Sequence, residues 1–353
     1  MTIQRPVYPF SAIVDQSEMK LALLLNAINP MIGGLLIRGQ KGTGKSISVR
    51  ALVDILPEIT VVKGCPFNCS LTDPTNMCPS CLERYVEGEP LEAERRRMRI
   101  VSLPIGATED RVIGSLDIER AISQGIRALQ PGLLAEANQN ILYIDEVNLL
   151  PDHITDSILD AAASGWNTVE RESISVQHPS RFILIGTMNP EEGELRPQLA
   201  DRFALHISVE GIYDEEHRVE IIRRNLEFGD DPVGFSKRWQ GEQEKLKDRI
   251  IEAKGLIKDV EVPDRMMRAV ASSCIGLHVD GHRPDISTIR ASKALAALDG
   301  RRTVAAEDIM KVAVMAVGFR TRGGGFEDPA KPEQIREAFT NAVKLARRQT
   351  AGE

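Results

Sequence analysis

The stretch Gly39-Gln40-Lys41-Gly42-Thr43-Gly44-Lys45-Ser46 constrains this chain more than any other. It follows the apolar run Gly34-Leu35-Leu36-Ile37 and precedes a helix-like segment from Ile47 to Leu56. A strand, a glycine-rich loop and a helix in that order are the setting of a phosphate-binding P-loop. The glycines let backbone N–H groups turn inward around phosphate oxygens, and the helix N-terminus adds a favourable dipole. In such a loop Lys45 reaches the β- and γ-phosphates, and the Ser46 hydroxyl ligates Mg2+. The chain is therefore expected to bind a nucleoside triphosphate.

Ile141-Leu142-Tyr143-Ile144-Asp145-Glu146 is an apolar run that ends in two carboxylates, as a buried parallel strand does. Ile100–Pro104 and Phe182–Gly186 read as further strands, with helical stretches between them. The pattern is βαβ, which predicts an α/β fold with a parallel sheet flanked by helices. Asp145 is expected to hold Mg2+, directly or through water, and Glu146 to polarise the attacking water as general base. Asn189 ends the next strand, in Gly186-Thr187-Met188-Asn189-Pro190. It either contacts the γ-phosphate or lytic water, or is an ordinary turn residue before proline. Arg202, in Asp201-Arg202-Phe203, either stabilises γ-phosphate charge in a neighbouring subunit's site or pairs locally with aspartate. Arg290 is either a second phosphate sensor or a solvated helix arginine.

The 353 residues suffice for two or three domains. An amphipathic helix is expected from Ser17 to Ala27. Residues 57–99 break the βαβ pattern with Pro, Asn, Asp and four Cys, then the charged run Glu92 to Arg99, and read as an insertion outside the core. Thr168–Glu172 and Ser173–Gln177 alternate apolar and polar residues and predict a β-hairpin. From Asp214 onward the chain reads as helical, at Glu215–Glu227, Glu242–Ala253, Asp264–Leu277, Ile286–Asp299 and Ala306–Gly318. Residues 229–240, with Gly, Pro and Trp, read as a connector. Gly323-Gly324-Gly325 interrupts before a last amphipathic helix, Pro332–Arg348. The expected domains are an α/β nucleotide-binding domain over 1–213, a helical connector over 214–260 and a C-terminal helical domain over 261–353.

A formal net charge of −7 argues against a nucleic-acid partner, whose recognition needs clustered Lys and Arg. No apolar run approaches the roughly 20 residues that span a bilayer. The opening Met1-Thr2-Ile3-Gln4-Arg5-Pro6 has no apolar signal core, so the expected location is cytoplasmic. The cysteines are then reduced or metal-bound. Cys65-Pro66-Phe67-Asn68-Cys69 and Cys78-Pro79-Ser80-Cys81 form C-x3-C and C-x2-C pairs. Such spacing suits Zn2+ or an Fe–S cluster, and is also open to four free thiols or a reversible dithiol. Cys274 lies in an apolar helix and reads as core.

These elements in this order resemble an AAA+ ATPase, a P-loop core followed by a helical lid domain. Longer strings resemble the I subunit of magnesium chelatase: Leu103 through Glu119, Pro131-Gly132-Leu133-Leu134-Ala135, Gly165 through Glu172, Asn189 through Leu199, and Tyr8 through Val14. The resemblance covers nearly the whole chain. It implies an ATP-hydrolysing motor, with ATP and Mg2+ as cofactors, that drives Mg2+ insertion into protoporphyrin IX on the way to chlorophylls and bacteriochlorophylls. It implies a homo-oligomeric ring, expected to be hexameric, working with a D subunit and a porphyrin-binding H subunit. Residues 110–133 would be an insert around the second helix, and 168–178 a hairpin before the sensor strand. Arg202 matches the arginine finger and Arg290 the second sensor. Thr187-Met188 and Ala200 depart from the family pattern. The alternative is a MoxR-like AAA+ chaperone for another enzyme. A ring-shaped DNA motor and a nucleotide-binding regulator without turnover are disfavoured, the first by the acidic charge and the second by intact Glu146 and Arg202.

Overall fold

The strands are, in chain order, β1 (Leu35–Gly39), β2 (Ile59–Val62), β3 (Ala93–Arg96), β4 (Ile100–Leu103), β5 (Gly114–Leu116), β6 (Leu129–Pro131), β7 (Ile141–Ile144), β8 (Trp166–Arg171), β9 (Ile174–Pro179), β10 (Ile183–Met188) and β11 (Leu205–Val209), and the buried ones, β1, β7 and β10, follow the short β-branched and apolar runs. The computed structural model describes residues 6–116, 129–171, 174–321 and 330–350. Residues 1–5, 117–128 of the expected insert, 172–173 of the expected hairpin, and the glycine run at 323–325 lie outside the described residues. The chain forms two compact units, residues 1–55 with 200–353, and residues 56–199.

In the first unit β1 and β11 pair in parallel, from Leu35 opposite Leu205 to Gly39 opposite Val209. Leu35, Leu36 and Ile37 are buried, which is why the run is continuously apolar rather than alternating. At Gly39 a Cβ would lie 2.3 Å from the Val209 carbonyl oxygen, so only glycine lets the two strands close up. The helix Ser17–Ile28 packs on both strands and on the helix Arg283–Leu298. Helices Asp264–Gly276, Arg283–Leu298, Ala306–Val317 and Pro332–Thr350 pack on one another around Leu295, Val312, Ile335 and Phe339.

The expected connector at 229–240 is not one. Helix Glu215–Asp230 and helix Pro232–Leu256 are separated by Asp231 alone. Pro232 takes the first helical position, where its missing N–H costs nothing, and the Asp231 carboxylate accepts from the Gly234 N–H at 2.8 Å. Gly, Pro and Trp here mark a helix start, and Phe235 buries its ring against Tyr8 and Phe228.

In the second unit β7 lies between β4 and β10, all parallel, with Ile141 opposite both Ile100 and Ile183. Every residue of β7 and β10 is buried. Helices Leu133–Ala137 and Asp152–Ser164 bury Leu134, Ile154 and Ile158. The expected hairpin is β8 with β9, from Trp166 opposite Pro179 to Arg171 opposite Ile174. Residues 57–99 are more ordered than an insertion outside the core suggests. β2 pairs antiparallel with β3, and Val62, Met77 and three cysteines close a small core of their own. The signal was hidden because cysteine serves as both hydrophobe and ligand.

Candidate nucleotide and metal sites

The P-loop is built as its glycines require. Gly42 and Gly44 have φ of 83° and 81°, a left-handed backbone that L side chains resist. Gly44 caps the helix Lys45–Leu52, so the loop delivers its N–H groups at a helix N-terminus. The Lys45 ammonium sits over the loop, donating to the Gly39 carbonyl at 2.5 Å and the Gln40 carbonyl at 2.6 Å. The Thr43 hydroxyl also donates to Gln40. Lys41 is exposed and Ser46 half-buried at the first helical turn.

A cleft of about 690 Å3 opens beside the loop. Gln40–Gly44 and Ile47 form one wall, and Ile13, Val14, Ile212 and Ile221 form an apolar one. Its size and mixed lining suit a nucleotide base and sugar. Ile212 and Ile221 escaped sequence reasoning because no motif marks them.

Asp201 and Phe203 hold the loop that carries Arg202. The Arg320 guanidinium, 6% exposed, donates to the Asp201 carboxylate at 2.6 Å and to the carbonyls of Phe203 (2.8 Å) and Ala204 (3.3 Å). Arg283 approaches the same carboxylate at 3.6 Å. Phe203 is fully buried and Arg202 half-buried between these anchors. Burial pulls the Arg320 pKa down while Asp201 opposes the shift. Arg290 is elsewhere. Its guanidinium donates to the Met31 carbonyl at 2.5 Å, ahead of β1, whereas the P-loop follows the other end of that strand.

In the second unit Asp145 and Glu146 follow β7 directly. Asp145 Oδ1 accepts from Thr187 Oγ1 at 2.6 Å and from Tyr143 Oη at 2.9 Å. Thr187 Oγ1 in turn accepts from the Glu146 N–H at 3.3 Å. Glu146 has φ 56° and ψ 56°, a left-handed conformation that a glutamate adopts only under constraint. Asn189 is buried at the end of β10, and its Oδ1 accepts from the Glu191 N–H at 3.2 Å, so the side chain does cap a turn. Thr187 stood out in the sequence as a family departure; the structure makes it the hydroxyl that orients the acidic pair. Tyr143 escaped notice inside an apolar strand.

Cys65, Cys69, Cys78 and Cys81 converge, with all four Sγ atoms within 4.8 Å of one another. Cys65 is half-buried and the other three are buried. Hydrogen bonds from the Cys69 and Cys78 thiols favour the Cys65 thiolate. Burial pushes the Cys81 thiol up to about 12. Cys274 is buried in the helix Asp264–Gly276, as expected of a core residue.

A P-loop at the head of a helix, an acidic pair after a buried parallel strand and a following helical region define an AAA+ ATPase, and a family model for the AAA lid domain matches residues 267–339. A second model, described as magnesium chelatase subunit ChlI, matches residues 118–205. The magnesium-chelatase subunit ChlI homolog of Methanocaldococcus jannaschii is 54% identical over 98% of this chain and 93% of its own. The chloroplastic ChlI of Glycine max is 54% identical over 95% and 80%, and the ChlI of Synechocystis 50% over 95% and 94%. A cryo-EM-based complex of the magnesium chelatase subunits BchI and BchD contains a chain 44% identical, covered over 95% of this chain and 100% of that one, with TM-score 0.53. A Cytophaga hutchinsonii protein solved at 2.00 Å, 18% identical with TM-score 0.60, shares the fold. The chain belongs to the magnesium chelatase ChlI subunit family.

Proposed function

We propose that this chain is the ATP-hydrolysing motor of a magnesium chelatase and that its turnover drives Mg2+ insertion into protoporphyrin IX. The observation that carries the reading is the near full-length identity to chelatase I subunits, over a site whose acidic pair is held in place by Thr187 and Tyr143. The MoxR-like alternative finds no such support. The residues fit ATP with Mg2+. Gly42 and Gly44 leave open space where a Cβ would stand, and a serine hydroxyl and a carboxylate are the hard oxygen donors that Mg2+ prefers.

Gly39 to Gly44 cradle the phosphates with backbone N–H groups, and Gln40 and Lys41 shape the loop. Lys45 exchanges its carbonyl partners for β- and γ-phosphate oxygens. Ser46 and Asp145 would hold the Mg2+ of the nucleotide, which would screen phosphate charge. Glu146 accepts a proton from the attacking water, and Asn189 steadies that water or the γ-phosphate. Arg202 serves the site of a neighbouring subunit as the arginine finger. Arg290, tied to the turn ahead of β1, serves as the second phosphate sensor.

The assembly is an oligomeric AAA+ ring, six-membered in our reading, with a D subunit as partner and an H subunit as the porphyrin carrier. The BchI–BchD complex supports the D partnership. The working division is an α/β nucleotide-binding domain over 1–213, a helical connector over 214–260 and a C-terminal helical domain over 261–353. No helix among the described residues is long and apolar enough to cross a membrane. We assign the chain to the cytoplasm, while the soybean relative is named chloroplastic.

The test is fluorescent detection of Mg-protoporphyrin IX with D and H subunits from the same organism and ATP. Product should form with this chain and vanish with Lys45→Ala. ATPase activity without product would overturn the chelatase reading.

A further inference from the structure

We propose that Cys65, Cys69, Cys78 and Cys81 bind a single Zn2+ as four thiolates, and that this ion staples the 63–81 loop to the turn from which the acidic strand β7 starts.

The first argument is size. Four sulfurs about 2.3 Å from one tetrahedral zinc lie about 3.8 Å apart. Here all four lie within 4.8 Å of one another, and Cys65 and Cys69 approach to 3.4 Å. That is too long for a disulfide, whose sulfurs sit at about 2.05 Å. It is too compact for an Fe–S cluster, which spreads its thiolates over two or more irons.

The second argument is how the backbone presents the thiols. Gly64 and Asn68 take left-handed φ of 73° and 51°, which folds the C-x3-C segment into a tight knuckle. Cys78 stands at the cap of the helix Pro79–Val86, so Cys81 falls in its first turn. The Cys78 N–H donates to Cys69 Sγ at 3.0 Å, which fixes the second pair against the first. Arg96 donates to the Asn68 side chain and brings a cation to the knuckle, where its Nε is buried without a hydrogen-bond partner. A Zn2+ with four thiolates carries net charge −2, and a half-buried guanidinium suits such a neighbour.

The third argument is what the knuckle touches. Asn68 Nδ2 donates to the Glu136 carbonyl at 2.9 Å. Asn138 Nδ2 donates to the Phe67 carbonyl at 2.8 Å, and Gln139 Nε2 to that of Asn68 at 2.7 Å. Asp73 pairs with Arg181 at 3.1 Å. The turn 136–140 leads directly into β7 at Ile141. The ion therefore acts on the base of the strand, while Asp145 and Glu146 lie at its other end. Its role is in stability, not in the chemistry at phosphate.

The experiment loads the full-length protein with Zn2+ or Co2+ under reducing conditions, removes excess metal, and measures metal content and the visible spectrum. We expect one metal per chain, the d–d and thiolate charge-transfer bands of a tetrahedral CoS4 centre, and release of zinc when a mercurial blocks the thiols. Cys78→Ser should lose the metal, and Cys274→Ser should keep it. If Cys78→Ser does not fold, the Co2+ spectrum of the unaltered chain still decides. No retained metal, an iron–sulfide cluster, or a Cys65–Cys69 disulfide in the reduced preparation would each overturn the proposal.

Discussion

Arg320 Nε donates to Asp201 Oδ1 at 2.6 Å, so a residue 119 positions away in sequence holds the loop beside the proposed arginine finger. The same guanidinium reaches the carbonyls of Phe203 and Ala204, and no other side chain spans that loop so fully among the described residues. Arg320→Met should leave those acceptors unpaired and cost about 2–4 kcal/mol in denaturant unfolding. In the assembled ring ATP turnover should fall roughly tenfold, with nucleotide affinity little changed. Unchanged turnover in a folded variant would free Arg202 from dependence on this latch.

Thr187→Val keeps the volume and removes the hydroxyl that donates to Asp145 and receives the Glu146 N–H. Partners that orient a metal ligand are worth roughly 10–100-fold in affinity or activity, so steady-state ATPase at varied Mg2+ should drop by that range. Thr187→Ser should restore most of it. A Val variant as active as the parent would show that Tyr143 suffices.

Glu146 stands at φ 56°, which costs a non-glycine residue about 1–2 kcal/mol. Glu146→Gly should therefore match or exceed the parent in thermal stability while losing turnover. Glu146→Gln should bind ATP, lose turnover by roughly 10²-fold or more and keep the strain. A clear loss of stability in the glycine variant would mean that the carboxylate itself holds the turn.

His206 is half-buried, stacks on Phe319 and contacts the Ala200 carbonyl at 2.9 Å through Nε2; desolvation of its ring holds its pKa well below the usual histidine value. His178 is lowered for the same reason. The unfolded chain thus binds protons that the folded one refuses. Stability contributed by these neutral imidazoles is full above about pH 6.5 and is lost as pH falls below it, by up to about 1.4 kcal/mol per pH unit for each group. His206→Gln should flatten the dependence of unfolding free energy on pH between roughly pH 6.5 and pH 5. An identical slope in parent and variant would remove His206 from acid sensitivity.

Gly39→Ala places a methyl 2.3 Å from the Val209 carbonyl oxygen, a backbone atom fixed in the β1–β11 ladder. The expected cost is about 3 kcal/mol, at the upper end for overpacking, read from the midpoint of urea unfolding. A shift of a few tenths would show that the two strands can part at no penalty.

Much of this was legible in the chain because phosphate chemistry needs fixed residue types at fixed spacing. Gly42, Gly44, Lys45, Asp145 and Glu146 announce themselves, and the continuous apolar runs of β7 and β10 report burial on both faces. What stayed hidden is carried by contacts distant in sequence. Nothing near Arg320 names Asp201 as its partner, and nothing near Thr187 names Asp145. Ile212 and Ile221 line the cleft only because β11 and the helix Glu215–Asp230 bring them there. The 229–240 segment misled because helix-breaking residues mark helix starts as readily as loops, and the Asp231 cap decides between them.

Tyr8 borders the nucleotide cleft and also packs on Phe228 at 5.2 Å and on Phe235 at 5.4 Å, and Phe235 in turn lies 6.3 Å from Trp239, over which the Arg224 guanidinium sits at 4.5 Å. The chain has only two tryptophans, and Trp166 is in β8. Light absorbed by one indole is thus reported from a spot two ring contacts away from the cleft. In a Trp166→Phe chain Trp239 would be the single indole, and its emission is expected to change when nucleotide fills the cleft that Tyr8 borders.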